Sequence, residues 1–338
     1  MSIKTATFYF ENTRLAQQIF HGETPNLKKL ERHFNIKATA RDNWVKTEGD
    51  EASVNRAQKV LELIEESSKN GIIIRAHDFS QALLTAERDG LEALRTLQSS
   101  RIYTSSKKPV VIPKTLSQKK YVDMIRNHDI TFGVGPAGTG KTYLAMAMAV
   151  AALKEEKCSR LILTRPAVEA GEALGFLPGD LNEKITPYLR PLYDALFDMM
   201  THEDVQKNQE KGIIEIAPLA YMRGRTLNNS FVILDEAQNA TREQMIMFLT
   251  RMGINTRLII TGDPSQVDLP PNKFSGLQEA IRILRNIQGV GVMEFQNKDV
   301  VRHALVQSII EAYEKALPSK QKKLFSPASA FKRKIRFT

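Results

Sequence analysis

The amino-acid sequence predicts an α/β protein: a parallel sheet with helices, preceded by a small α+β unit. Three observations carry that prediction. Residues 135–142 read G-P-A-G-T-G-K-T, the G-x-x-x-x-G-K-T spacing of a phosphate-binding loop. They stand between a strand-like run at 129–134 and an Ala-, Leu- and Met-rich helical run at 143–156. Further apolar runs at 161–164, 231–234 and 258–261 have the composition of strands buried on both faces, with helical patterns between several of them. The first seventy residues keep a different rhythm, with three strand-like segments among three helical ones.

A chain of 338 residues is long enough for two domains and a sizeable core. Hydrophobic content of 42% and charged content of 25% belong to a soluble globular protein. The longest apolar run, 144–153, is too short to span a bilayer, and the first residues lack the apolar core of a secretory signal. The single cysteine, Cys158, permits no internal disulfide and fits a reducing compartment. The six histidines are scattered without zinc-site spacing. The expectation is a cytoplasmic protein with no membrane partner and no structural metal. Seven of the ten net positive charges fall in 318–338, on Lys320, Lys322, Lys323, Lys332, Arg333, Lys334 and Arg336, with no acid among them. Such a tail suits a polyanion such as RNA, or is a solvated end that aids solubility.

Taken in order, residues 5–11 alternate as a strand, and Asn12 or Thr13 caps a short helix through Phe20. Gly22-Glu23-Thr24-Pro25 forms a turn. Asn26 then caps a second helix with Leu27, Leu30 and Phe34 at helical spacing. Strands at 36–41 and 44–48 flank the turn Arg41-Asp42-Asn43. A long helix from near Glu51 places Val54, Ala57, Val60, Leu61 and Ile64 along one side. The order β-α-α-β-β-α resembles a KH domain, a compact RNA-binding fold. KH domains hold the nucleic-acid backbone with a GXXG loop between their first two helices. Gly22-Glu23-Thr24-Pro25 stands at that place with one glycine and an acid. The unit is read as an RNA binder or as a protein-docking or oligomer-packing module. Residues 72–74 suit a short strand and 80–97 an amphipathic helix. Ser105-Ser106-Lys107-Lys108-Pro109 and Pro113 then break regular structure. The expected organisation is a KH-like domain at 1–70, a connection at 71–115, a nucleotide-binding domain at 116–316 and a basic tail at 317–338.

Each chemical motif of the second half follows an apolar run, and 290–295 is a candidate fifth strand. Ligands of open α/β sheets bind beyond the carboxyl ends of the strands, so the motifs are expected in one crevice. The loop Gly135, Pro136, Ala137, Gly138, Thr139, Gly140, Lys141 and Thr142 is the expected ATP-binding segment, in which backbone N–H groups from Ala137 to Thr142 would surround the β-phosphate. Lys141 would neutralise the β- and γ-phosphates, and the Thr142 hydroxyl would ligate Mg²⁺. After 231–234, Asp235 fits the carboxylate that holds Mg²⁺ through water, and Glu236 is placed to polarise the attacking water. Gln266, past the run 258–261, is placed to donate to the γ-phosphate and accept from that water. Gln118 is placed to read the adenine edge; the other reading is an ordinary helix-surface amide.

Together, Gln118, GPAGTGKT, LTRPAVEAGEALGFLPGD (163–180), YMRGRTL (221–227), FVILDEAQN (231–239), TGDPSQVDLP (261–270) and Val300-Val301-Arg302-His303 resemble the PhoH-like family across 116–316. The N-terminal region resembles the KH-like extension of its longer bacterial members. The resemblance implies a RecA-like P-loop ATPase core related to the first motor domain of superfamily 1 helicases. It also implies a ring-shaped homo-oligomer, expected as a hexamer, and a link to RNA metabolism and to a YbeY-type endoribonuclease. Residues 116–316 have room for one such core, so an arginine completing the site would come from another subunit. Arg302 is the candidate, against a surface salt bridge as the other reading. Arg165, Arg223 and Arg225 are expected to meet RNA phosphate, a neighbour's nucleotide or a structural carboxylate. Residues 168–190 read as an irregular loop suited to line a pore. The expected function is a Mg²⁺-dependent ATPase coupled to RNA, with an ATP-regulated scaffold for a protein partner as the alternative. Phosphotransfer to a small molecule is weaker, because nothing resembles an acceptor site, and no Gly-x-Ser-x-Gly elbow is present.

Overall fold

A computed structural model describes residues 3–20, 26–69, 72, 74, 76–166, 181–270, 272–301, 305, 306, 309 and 312. The chain divides into two compact units, 1–103 with 109–119, and 104–108 with 120–338.

In the first unit, β1 (Ile3–Tyr9), α1 (Thr13–Phe20), α2 (Asn26–Phe34), β2 (Lys37–Arg41), β3 (Trp44–Asp50) and α3 (Glu51–Lys69) follow the β-α-α-β-β-α order. The sheet is antiparallel with β3 between β1 and β2. Asp42 makes the hairpin turn at φ 44°, a left-handed conformation that Asp tolerates better than most residues. Two more helices, α4 (Ala76–Arg88) and α5 (Leu91–Ser99), add Phe79, Leu83 and Leu94 to the same core as Leu30, Val45, Val54 and Leu61. The single helix expected over 80–97 is therefore two. Gly90, at φ 87° and ψ 171°, sits outside helical geometry and lets the chain turn between them. Residues 72 and 74, expected in a strand, belong to no regular element. The turn at 21–25 lies outside the described residues.

In the second unit, α6 (Leu116–Asn127), whose first residues belong to the other unit, precedes β4 (Ile130–Val134) and α7 (Lys141–Lys154). There follow β5 (Arg160–Arg165), α8 (Leu181–Met199), α9 (His202–Glu210), β6 (Ile214–Pro218) and β7 (Ser230–Leu234). The unit continues through α10 (Arg242–Leu249), β8 (Arg257–Gly262), α11 (Gly276–Leu284) and β9 (Val290–Glu294). Six parallel strands form a sheet in the order β6-β5-β7-β8-β4-β9, the arrangement of a P-loop NTPase core. The expected runs are its central strands, and 290–294 is the edge beside β4. The other edge, β6, is a strand that the periodicity did not reveal: Ile214-Glu215-Ile216-Ala217-Pro218 is short and ends in proline, which an edge tolerates. Ten of the fourteen residues of α7 are buried, so this helix is apolar nearly all round.

Residues 181–190, expected as irregular loop, are helical despite Pro187 and Pro191. Leu192, Leu196 and Met199 are fully buried at helical spacing. Their packing outweighs a proline cost of about 3 kcal/mol. The rest of that loop, 167–180, and the tail at 317–338 lie outside the described residues. Among the described residues, no helix is long and apolar enough to cross a membrane.

Candidate active site

The glycines of 135–142 are required by backbone geometry. Gly135 leaves β4 at φ 142°, and a Cβ there would lie 2.6 Å from the carbonyl oxygen of Phe295. Gly140 takes the left-handed conformation (φ 81°, ψ 13°) as the N-cap of α7. The loop is fastened from three sides. Gly135 N donates to Gly262 O at 3.1 Å, Val301 N donates to Gly138 O at 2.9 Å, and Ala137 N donates to Asp263 Oδ2 at 3.2 Å. The start of α7 directs its first N–H groups and positive dipole end at the crevice, where an anion is stabilised. Lys141 is buried at 8% exposure, and its ammonium donates to the carbonyls of Gly135 (2.7 Å) and Pro136 (2.8 Å).

β7 is buried along its whole length and delivers Asp235 to the same crevice. Asp235 Oδ1 accepts from the hydroxyls of Thr142 and Thr261, each at 2.7 Å. Glu236 follows in a left-handed conformation (φ 52°, ψ 38°), which costs a non-glycine residue about 1 kcal/mol or more. Its carboxylate meets Arg165 Nη2 at 3.4 Å through one oxygen and accepts from Gln238 Nε2 through the other. Gln238, 1% exposed, also donates to Gln266 O at 3.1 Å, and its carbonyl accepts from Asp263 N at 3.0 Å. Asp263 in turn accepts from the Gln266 side chain at 2.9 Å and from the Ser265 hydroxyl at 2.6 Å. Loop, carboxylates and Gln266 are thus one hydrogen-bonded assembly around a cleft of about 250 Å³.

The sequence-predicted residues Ala137, Gly138, Gly140, Lys141, Thr142, Asp235, Glu236 and Gln266 line this cleft together. Gly135, Pro136 and Thr139 form the base of the loop, where the Thr139 hydroxyl donates to Pro136 O at 2.9 Å. Gln118 belongs to the first unit's segment 109–119. It is 4% exposed, and its side-chain oxygen accepts from Lys114 N at 2.6 Å, which corrects the helix-surface alternative. Arg302 lies outside the described residues. Arg165 meets a carboxylate, that of Glu236. Arg225 does too: its guanidinium clamps Glu215 at 2.5 and 2.7 Å, and Arg160 adds a third contact at 2.9 Å. The Arg225 hydrogen bonds hold the Glu215 carboxyl below its ordinary pKa, against the opposing effect of burial. Arg223 is exposed.

Gln238 and Asp263 are the functional candidates that the motif spacing left unassigned. Both lay inside quoted motifs, but only the approach of β7 and β8 makes them partners. Tyr121 lies behind the site, fully buried, with its ring against Gly133 and edge-on to Phe295. Its hydroxyl has no hydrogen-bond partner among the described residues. Burial, with the Asp235 charge adding to it, pushes its pKa up.

The donor set fits Mg²⁺. Among the described residues lining the cleft are three carboxylates (Asp235, Glu236, Asp263) and one ammonium, Lys141. A polyphosphate entering such a cleft would meet a repulsion that a divalent cation offsets. One carboxylate and one hydroxyl, Asp235 and Thr142, suit an ion that keeps waters and phosphate oxygens in its shell.

The chain is similar to several known proteins. A family model described as "PhoH-like protein" matches residues 110–314. A PhoH-like protein of Bacillus subtilis is 47% identical over 305 residues, 90% of this chain and 96% of that one. A PhoH-like protein of Mycobacterium tuberculosis is 51% identical over 85% of this chain and 82% of its own. Protein PhoH of Escherichia coli is 43% identical over 66% of this chain, which spans 62% of that protein. Among solved structures, the large terminase of a thermophilic bacteriophage is similar with a TM-score of 0.39 and 11% identity, over 62% of this chain and about half (51%) of that one.

Proposed function

The chain belongs to the PhoH-like family, and from that premise we propose that it is a Mg²⁺-dependent ATP hydrolase whose turnover is coupled to RNA binding or remodelling. The observation that carries the hydrolytic reading is the convergence of Thr142 on Asp235 at 2.7 Å, with Glu236 and Gln266 in the same cleft. The loop amides and Lys141 bind the phosphates. Thr142 and Asp235 would hold the metal, which when bound would supply charge neutralisation for the phosphates. Glu236 orients a water and takes its proton as the water oxygen bonds to the γ-phosphorus and the β–γ bridging bond breaks, leaving ADP and phosphate. Gln266 reports whether the γ-phosphate is intact through the Gln238–Asp263 assembly.

RNA coupling is supported by the basic chain, by the β-α-α-β-β-α unit, which we read as KH-like, and by the basic tail. The single nucleotide core per chain supports a ring, read as a hexamer, with Arg302 acting on a neighbour's ATP. The family resemblance supports a YbeY-type endoribonuclease as a further partner. The test is ATP turnover by the wild type and Glu236→Gln, with and without single-stranded RNA. Wild-type turnover is expected to depend on Mg²⁺ and to respond to RNA, and Glu236→Gln to lower kcat by about 100-fold or more with ATP still bound. Turnover that Glu236→Gln leaves intact would remove the hydrolytic assignment; RNA that neither binds nor alters turnover would favour an ATP-regulated scaffold.

A further inference from the structure

In the first unit, one sheet face is open to solvent, and its composition is unlike that of an ordinary polar surface. With β3 between β1 and β2, residues directly opposite one another share a face. The register aligns Tyr9, Trp44 and Arg41 in one row across the three strands. Thr7, Lys46 and Thr39 form the next row, and Thr5, Glu48 and Lys37 the third. The alternate residues, Phe8, Val45, Ala38 and Ala40, turn the other way onto the core. On the open face Tyr9 is 64% exposed, Arg41 and Lys46 are exposed, and Trp44, the chain's single tryptophan, is half-buried. Two aromatic rings on neighbouring strands therefore stand beside two cations. The carboxylates of the face, Glu48 and Asp50, lie toward the opposite end, and Asp42 occupies the hairpin turn beyond Arg41.

From this placement we propose that the open sheet face of the first unit binds single-stranded RNA, with bases stacked on Tyr9 and Trp44 and phosphates held by Arg41 and Lys46. The proposal rests on the RNA coupling proposed above and locates it on the open face of the three-stranded sheet. Aromatic side chains stack unpaired bases of any sequence, and adjacent cations follow the backbone. A duplex keeps its bases stacked on each other and has no ring face to offer. Threonines and charges surround the two rings, which leaves little contiguous apolar surface for a permanent interface between copies.

Trp44 is a built-in probe. The full chain is titrated with a short labelled single-stranded oligoribonucleotide while tryptophan fluorescence and label anisotropy are followed together. Saturable quenching is expected with the single strand and none with its duplex, and affinity should fall steeply with salt. Tyr9→Ala and Arg41→Gln should each weaken binding about tenfold, whereas Tyr9→Phe, which keeps the ring, should bind as the wild type does. Thermal unfolding midpoints verify the fold of each variant, and Arg41→Gln, at an exposed position, carries the test if Tyr9→Ala unfolds. Anisotropy that rises with Trp44 unquenched and both variants unaffected would overturn the assignment of this face while leaving RNA coupling intact. No binding in either signal would overturn both. Trp44 fluorescence that changes with protein concentration in the absence of RNA would make the face an interface between copies and overturn the proposal.

Discussion

Glu236 is held on both oxygens, by the Arg165 guanidinium and the Gln238 amide, in a backbone conformation that a non-glycine residue adopts only when its surroundings impose it. Those surroundings are the buried β7 behind it and Gln238 ahead of it, whose amide is itself bonded to Asp263 and Gln266. A carboxylate pinned in this way suits the water-orienting role proposed for it, and its position is tied to Gln266, the residue proposed to face the γ-phosphate. Tyr121 is the opposite case, a buried hydroxyl that no described residue satisfies. An unpaired buried polar group costs about 1–3 kcal/mol. Tyr121→Phe keeps the ring against Gly133 and Phe295 and removes that cost. Urea denaturation should find the variant more stable, by about 1 kcal/mol; a loss of similar size would mean the hydroxyl has a partner.

The edge strand β6 shows how an element is tied in by charge as well as by its ladder. Glu215, on β6, receives Arg225 from the turn after it and Arg160 from β5, its one neighbour in the sheet. Because Arg225 and Arg160 depress the Glu215 pKa in the folded state, their stabilisation is present above the ordinary glutamate pKa. It is lost as pH falls through that value, about 4.3, toward the depressed one. Urea denaturation of wild type and Glu215→Gln should therefore show a stability gap at pH 7 that narrows as pH falls below the ordinary glutamate value. A gap independent of pH would place the effect of the substitution in packing. This strand was also the one least legible in the sequence. Its isoleucines flank a glutamate and end in a proline, and only the partner arginines, ten and fifty-five residues away, explain a half-buried acid there. The helix expected at 80–97 failed for the converse reason: periodicity runs through Gly90, but the backbone there does not.

At the scale of the molecule, the described residues supply one six-stranded core and one phosphate loop. The segment leading to Arg302 begins on that loop, through the bond from Val301 N to Gly138 O. Whether Arg302 serves its own ATP or a neighbour's is decided by mixing. On the trans reading, Arg302→Ala abolishes hydrolysis and retains ATP binding, as does Lys141→Ala for hydrolysis alone. In mixed rings an Arg302→Ala subunit keeps its own loop and receives the arginine of a Lys141→Ala neighbour, so part of the turnover returns. Two inactive proteins that stay inactive when mixed, while still co-assembling, would assign Arg302 to its own chain.

The sequence by itself determined the phosphate loop, the two acids after β7 and the parallel sheet, because each is a contiguous run in which neighbouring residues carry the whole signal. It also placed Gln266 and the first unit's element order within reach. Tertiary structure alone decided that Gln238 joins Glu236 to Asp263, that Arg165 and Arg225 take carboxylates, and that Tyr9, Trp44 and Arg41 share one open row. Those relations depend on strand order and register, which bring together residues far apart in the chain. Local pattern reports which way a side chain alternates, and only the pairing of strands reports what stands beside it.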